Sequence, residues 1–265
     1  VTMTTVVVSG SMIAADNKIT SFQTFEGEEL KQQLEQVEQA ALVVPNYSMI
    51  KDLVIESYIN PPETITKIFD VSEMGFSIEG DKVLAVGGAG NGVTIQALEL
   101  LEKGKDLKDQ LTLLNGIMID ALKHFEPKIL ELLQSMLPSN FDTDTLPVSI
   151  DEYLKASAYT IAASEFAVVG EKYNYVIAPT KVEDKTLSIR KFSKDETVAI
   201  GSGAVTANMV YKDESLDLLD AVEDIIGTTL YCVNALATKD DLREFISGVS
   251  VYDPMTGSES DLISF

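Results

Sequence analysis

Short β-rich bursts of apolar residues open the chain, and helical spacing follows. Residues 5–8 and 12–15 are two such bursts separated by Ser9-Gly10-Ser11, a spacing that predicts a hairpin. Asp16 then ends the second strand, level with the start of the first. Over 28–43, Leu30, Leu34, Val37 and Ala41 recur at three- and four-residue steps among Glu, Gln and Lys, which predicts an amphipathic helix. Pro45 and Pro61-Pro62 bracket a second, shorter helix at 49–59. Residues 66–71 and 82–86 predict a strand pair that feeds the turn Gly87-Gly88-Ala89-Gly90, with a helix at 93–102 beyond it. A long helix is expected over 107–137, with Gly116 and Pro127 as its weak points. A loop at 138–147 and a short helix from Ile150 come next. Four β runs, 166–169, 175–178, 187–192 and 197–200, read as an antiparallel meander. Two helices, 205–212 and 216–233, follow. Strands and helices are segregated rather than alternating, so the expected class is α+β. The sequence shows no internal repeat and no low-complexity tract.

Composition narrows the function. With 265 residues, 45% of them hydrophobic, the chain can bury a full core as a single domain over 1–265. A net charge of −22 argues against a nucleic-acid backbone or an anionic membrane as partner, because both attract basic surfaces. No apolar run approaches the ~18 residues of a membrane helix. The apolar start lacks a basic leader and is broken by Ser9-Gly10-Ser11, so it does not read as a signal peptide, and a soluble protein is expected. Cys232 is the sole cysteine, which excludes an intrachain disulfide, and with His124 the sole histidine a His/Cys zinc cluster is excluded too. His124 shares a helical pattern with Ile117, Ala121 and Phe125 and reads as a packing residue rather than the base of a Ser-His-Asp triad.

The motifs compete at first. Gly87-Gly88-Ala89-Gly90-Asn91-Gly92, between a strand and a helix, resembles a phosphate cradle but lacks the Lys-Ser/Thr of a P-loop and the spacing of a dinucleotide fingerprint. A tight strand-to-helix turn and a ligand loop both stand at this point. Gly201-Ser202-Gly203 alone is a weak signal. The acidic clusters at 26–29 and 213–220 read as solvated helix starts.

Taken in order, the contexts change the picture. Thr4-Thr5-Val6-Val7 followed by Met12-Ile13-Ala14-Ala15-Asp16, then Thr66-Lys67-Ile68, then Asp81-Lys82-Val83-Leu84-Ala85 with the glycine run and Leu98-Glu99-Leu100-Leu101-Glu102, and finally Ile200-Gly201-Ser202-Gly203, together resemble the proteasome β subunits and the bacterial HslV peptidase. These are N-terminal-nucleophile hydrolases. Residues 216–234 resemble the family's later helix and strand. The likeness covers most of the chain apart from 26–65, the loop at 138–147 and the last residues.

The resemblance implies a four-layer αββα sandwich and a threonine peptidase needing no cofactor and no metal. Thr4 would attack a peptide carbonyl, with its own α-amine as general base once freed, since such an amine titrates near ~7.7–8.0. Lys67 would lower the pKa of the nucleophile, Asp16 would hold that lysine, and Ser202 would position the amine. A backbone N–H near Ala89 and Gly90 would stabilise the oxyanion, and Gly87, Asn91 and Ile95 would line a specificity pocket. Singly, each has a plainer reading: Asp16 as a turn cap, Lys67 as a strand lysine, Ser202 as a strand end. The implied setting is cytoplasmic, a ring-like homo-oligomer fed peptide or unfolded protein by an ATPase unfoldase.

This chain also departs from the pattern. Ala89 and Thr228 stand where the family usually has glycine and aspartate, the first hairpin is shorter, a helical insertion spans 26–65, and Val1-Thr2-Met3 precede Thr4. A peptide bond to Met3 would deny Thr4 its amine. The second reading is therefore a catalytically silent relative serving as a building block of a larger assembly such as a virion.

Overall fold

The computed structural model describes residues 4–16, 25–62, 65–137, 146, 148–180, 185–204, 249–253 and 258–263. The fold is mixed α+β, with helices packed against antiparallel sheets. The chain opens with β1 (Thr5–Ser9) and β2 (Met12–Asp16), joined through a two-residue loop in which Gly10 takes a φ of +59°. That left-handed value is what a tight hairpin turn requires, and glycine adopts it without steric cost. On the other side of β1 lies β9 (Val198–Gly201), and β2 is flanked by β10 (Val249–Asp253) and β11 (Ser258–Ile263), so the first sheet runs β11-β10-β2-β1-β9.

The second sheet has the order β3-β5-β6-β7-β8, from β3 (Ile68–Asp70), β5 (Asp81–Gly90), β6 (Ser164–Gly170), β7 (Asn174–Pro179) and β8 (Leu187–Phe192), with the short β4 (Ser77–Ile78) on the start of β5. Between the sheets lies one apolar cluster, with Val6, Ile13 and Ile200 of the first meeting Ala85, Ala167 and Val176 of the second. The sheets pack tightly at Gly87. A Cβ there would stand 2.7 Å from Val6 Cγ1 and 2.8 Å from Ile13 Cδ1. Opposite residues of the same strands, such as Val86, Phe166 and Val168, face a second cluster built by the helices. The period-2 alternation of β6 thus divides the two cores.

That helical side comprises α1 (Gly27–Val43), α2 (Lys51–Ile59), α3 (Gly92–Gln96) and α4 (Leu107–Met136). Residues 26–65, expected as an insertion, contribute Val37, Ala40, Tyr47, Ile50 and Val54 to this core, so they are bound into the fold. α5 (Ile150–Ala162) begins with a capping box between Ser149 and Glu152 and packs Ala158, Tyr159 and Ala162 on Ile119 and Leu122 of α4. Among the described residues no helix is long and apolar enough to cross a membrane.

Four expectations need correction. The glycine run is not a turn: β5 extends through Gly90 because β6 stays paired beside it, from Gly87↔Ala167 to Gly90↔Ser164. The four-run meander is only three strands long. Residues 198–201 leave it and pair with β1, since Val198 and Ile200 belong to the core between the sheets and the polar turn at 193–197 carries the chain across. Neither Gly116 nor Pro127 breaks α4, which keeps an apolar stripe on both sides of the proline, with Leu114 and Ile117 buried before it and Ile129 half-buried after. The helix expected at 93–102 is α3 followed by a 3-10 turn at Ala97–Leu100. β4, β10 and β11 were not anticipated. The helices expected at 205–212 and 216–233, with Thr228 and Cys232, lie outside the described residues, as does nearly all of the loop at 138–147.

Candidate functional site

The site gathers at the end of β1. With Val6 opposite Ala15, the hairpin register sets Thr5 beside Asp16, and the Thr5 N–H donates to Asp16 Oδ1 at 2.7 Å. On the other flank Thr5 pairs with Gly201, whose φ of +87° turns the chain so that Ser202 sits over Thr4. A Cβ on Gly201 would strike the Thr4 carbonyl oxygen, so glycine is required there for close approach as well as for φ. The Thr4 N–H donates to Ser202 Oγ at 3.0 Å, while the Thr4 carbonyl accepts from Ser202 Oγ at 3.4 Å and from the Gly203 N–H at 3.5 Å.

The second sheet supplies the cation. Lys67 immediately precedes β3, and its carbonyl accepts the Gly88 N–H at 2.9 Å, which pins the lysine backbone to β5. Its side chain crosses to the first sheet, where Nζ donates to Asp16 Oδ2 at 2.8 Å and to Thr4 Oγ1 at 3.3 Å. Only 2% of Lys67 and 4% of Asp16 is exposed. Burial pushes the Lys67 ammonium below its ordinary value, with Asp16 resisting the shift. Burial likewise pushes the Asp16 carboxyl upward, opposed by Lys67 and by the Thr5 N–H. A buried charge needs a partner, and each of these two is the other's. A positive charge within hydrogen-bond reach of a hydroxyl favours its alkoxide, and the Lys67 ammonium stands in that relation to Thr4 Oγ1.

The alternation of β5 sets which of its N–H groups face the Lys67 side. Successive N–H groups of a strand point to opposite edges. The Gly88 N–H faces the β3 side, so the Ala89 N–H faces β6, where Ala89 opposes Glu165, and the Gly90 N–H turns back toward the side that carries Lys67.

Of the residues singled out from sequence, Thr4, Asp16, Lys67 and Ser202 come together, and Ala89 and Gly90 lie at the adjoining end of β5. The other three are engaged elsewhere. Gly87 packs between the sheets, Ile95 is 1% exposed in the helix-side core, and Asn91 caps α3 by accepting from the Val93 and Thr94 N–H groups. Sequence reasoning missed Glu165, whose Oε2 accepts the Gly201 N–H at 3.3 Å. The signal was present as a lone carboxylate in the otherwise apolar run Glu165-Phe166-Ala167-Val168-Val169. Among the described residues no three His, Cys, Asp or Glu side chains gather where a metal could be held.

Compared with known proteins, the chain matches no protein-family model and no curated relative.

Proposed function

We propose that this protein is a proteasome-like threonine peptidase in which Thr4 is the nucleophile. The observation that carries the reading is the buried relay Asp16–Lys67–Thr4, whose lysine lies 2.8 Å from the carboxylate and 3.3 Å from the hydroxyl. In the mature form the Met3–Thr4 bond is cleaved, and the freed α-amine takes the hydroxyl proton as Oγ1 adds to the scissile carbonyl carbon. The Gly90 N–H receives the resulting oxyanion. Collapse breaks the C–N bond, the amine half leaves with the proton, and water hydrolyses the threonine ester. Ser202, which holds the Thr4 nitrogen at 3.0 Å, keeps the amine beside the hydroxyl.

The four-layer sandwich belongs to the same reading. Val7 and Ala14 lie on the first-sheet face opposite the inter-sheet core and are 0% and 1% exposed, as expected if a further layer covers that face. A ring-like homo-oligomer in the cytoplasm, acting on peptide or unfolded protein delivered by an ATPase, completes it.

One observation favours the alternative of a silent assembly protein such as a virion component. While Met3 is attached, the Thr4 nitrogen is an amide with no basic lone pair, and it donates to Ser202. The same experiment separates the two readings: intact mass and N-terminal sequencing of the assembled protein, followed by exposure to a β-lactone that acylates threonine hydroxyls. Cleavage before Thr4 with one acyl group on it, lost in Thr4→Ala, is the expected result. An uncleaved Met3–Thr4 bond with no acylation would overturn the peptidase and leave the assembly role.

A further inference from the structure

We propose that Glu165 is a positioning residue for the nucleophile, holding the Gly201-Ser202-Gly203 turn against Thr4 from the opposite sheet. The inference rests on the Thr4 reading above. β6 is buried along its whole length except at Glu165, which is half-buried. Phe166 and Val168 point to the helices and Ala167 and Val169 to the first sheet, so alternation puts Glu165 on the inter-sheet face, at the end where the site lies. An apolar residue there would simply extend the core. Glu165 is the one charged side chain that β6 turns to that face, and its hydrogen bond goes to the backbone of a single residue, Gly201.

What that bond controls follows from the geometry of the turn. Gly201 sits in the left-handed region, and a Cβ on it would come within 3.2 Å of Ala89 Cβ, the residue that opposes Glu165 across the ladder. Ala89, Glu165 and Gly201 therefore form one contiguous group spanning both sheets. The next two residues of the turn grip the Thr4 backbone through bonds of 3.0, 3.4 and 3.5 Å. The latter two lie near the limit of useful hydrogen bonding, so a displacement of a few tenths of an ångström loosens them. A carboxylate acceptor is the stronger kind of tether for a backbone N–H, and Glu165 supplies it where, among the described residues, β9 has no further strand beside it. The residue acts through Gly201 and Ser202 on the direction of the Thr4 nitrogen, not on substrate.

The test measures β-lactone acylation of Thr4 across probe concentrations in the mature protein and in Glu165→Ala and Glu165→Gln. Loss of a hydrogen bond to a charged group predicts a maximal rate about tenfold lower in Glu165→Ala, with half-saturation within about twofold of wild type. Glutamine keeps an acceptor oxygen, so Glu165→Gln should stay within about threefold of wild type. A wild-type rate in Glu165→Ala, or a glutamine variant as slow as the alanine one, would overturn the proposal. Should wild type resist acylation, the Thr4 reading fails by itself and amide hydrogen exchange decides on Glu165. Faster exchange at Thr4 and Gly203 in Glu165→Ala, at unchanged Tm, upholds the tether, and unchanged exchange removes it.

Discussion

Two buried aspartates sit at opposite ends of the strands. Asp81 and Asp16 are equally hidden, each 4% exposed, yet their bonding differs in kind. Asp81, at the start of β5, accepts from the Lys172 and Tyr173 N–H groups and from the Tyr175 hydroxyl, all within 3.0–3.2 Å. Each of those donors belongs to the β6–β7 connection or to β7, so the network closes on itself and ties a turn to a strand. Asp16 spends one oxygen on a backbone N–H and the other on Lys67, whose ammonium reaches on to the Thr4 hydroxyl. The first arrangement ends in neutral donors. In the second the carboxylate acts through a cation on a group capable of chemistry. A buried carboxylate is thus informative about function only through what its partners touch next.

The largest break in this comparison should come from Lys67→Met. Removing one half of a buried ion pair should cost about 3–5 kcal/mol in urea unfolding. Acylation of Thr4 should fall on the order of 10²–10³-fold, as for loss of a preorganised electrostatic group. Asp81→Ala should lose about 2–3 kcal/mol from its stranded donors while Thr4 acylates at the wild-type rate. A drop in that rate would mean that the two carboxylates are not separable. Pairing Asp16→Asn with Lys67→Met should cost less than the sum of the single changes by about 1–3 kcal/mol, measured as a double-mutant cycle. Additivity would deny the ion pair. Gly87→Ala, which forces a methyl against Val6 and Ile13, should cost about 1–2 kcal/mol in thermal unfolding without altering peptide preference. A changed preference would support a pocket role for Gly87.

The finest distinction is pH dependence. Burial lowers the Lys67 pKa from the ordinary 10.5, so a rate that needs the ammonium holds below the folded value and is lost as pH rises through it, before 10.5 is reached. Stability moves the other way: the unfolded chain keeps its proton up to 10.5, and the penalty of burying the cation is relieved over that interval. Asp16→Asn removes the attraction that resists the shift, so the alkaline limb of acylation should move to lower pH. An unmoved limb would take Lys67 out of the rate-limiting step.

Local chemistry was legible in the sequence and long-range choice was not. The hairpin could be read because Gly10 and its neighbours fix a turn within two residues, and α1 because Leu30, Leu34 and Val37 keep one period. The register that sets Asp16 beside Thr5 followed from the same short loop. Residues 198–201 have the composition of a meander strand, and nothing local says that β1 rather than β8 is their neighbour. β10 escaped notice for the same reason, since its partner β2 lies more than 200 residues earlier in the chain, whereas β11 pairs locally with β10 and was overlooked because its run Ser258–Ile263 is mostly polar. Thr4, Asp16, Lys67 and Ser202 were found together only because their contexts resemble one family in order. Glu165 belongs to none of those contexts.

The order of strands in the first sheet also bears on synthesis. β3 to β8 come from a continuous stretch of chain, whereas the sheet bearing Thr4 joins β1 and β2 to β9, β10 and β11, which follow that stretch. The contact between Thr4 and Ser202 closes a separation of 198 residues. A nascent chain can lay down its second sheet while Thr4 still lacks Ser202 and the strand on its flank. The Thr4 hydroxyl therefore stays without that turn until β9 and Ser202 have been made, and a product terminated before them carries Thr4, Asp16 and Lys67 but not the group that holds the Thr4 backbone.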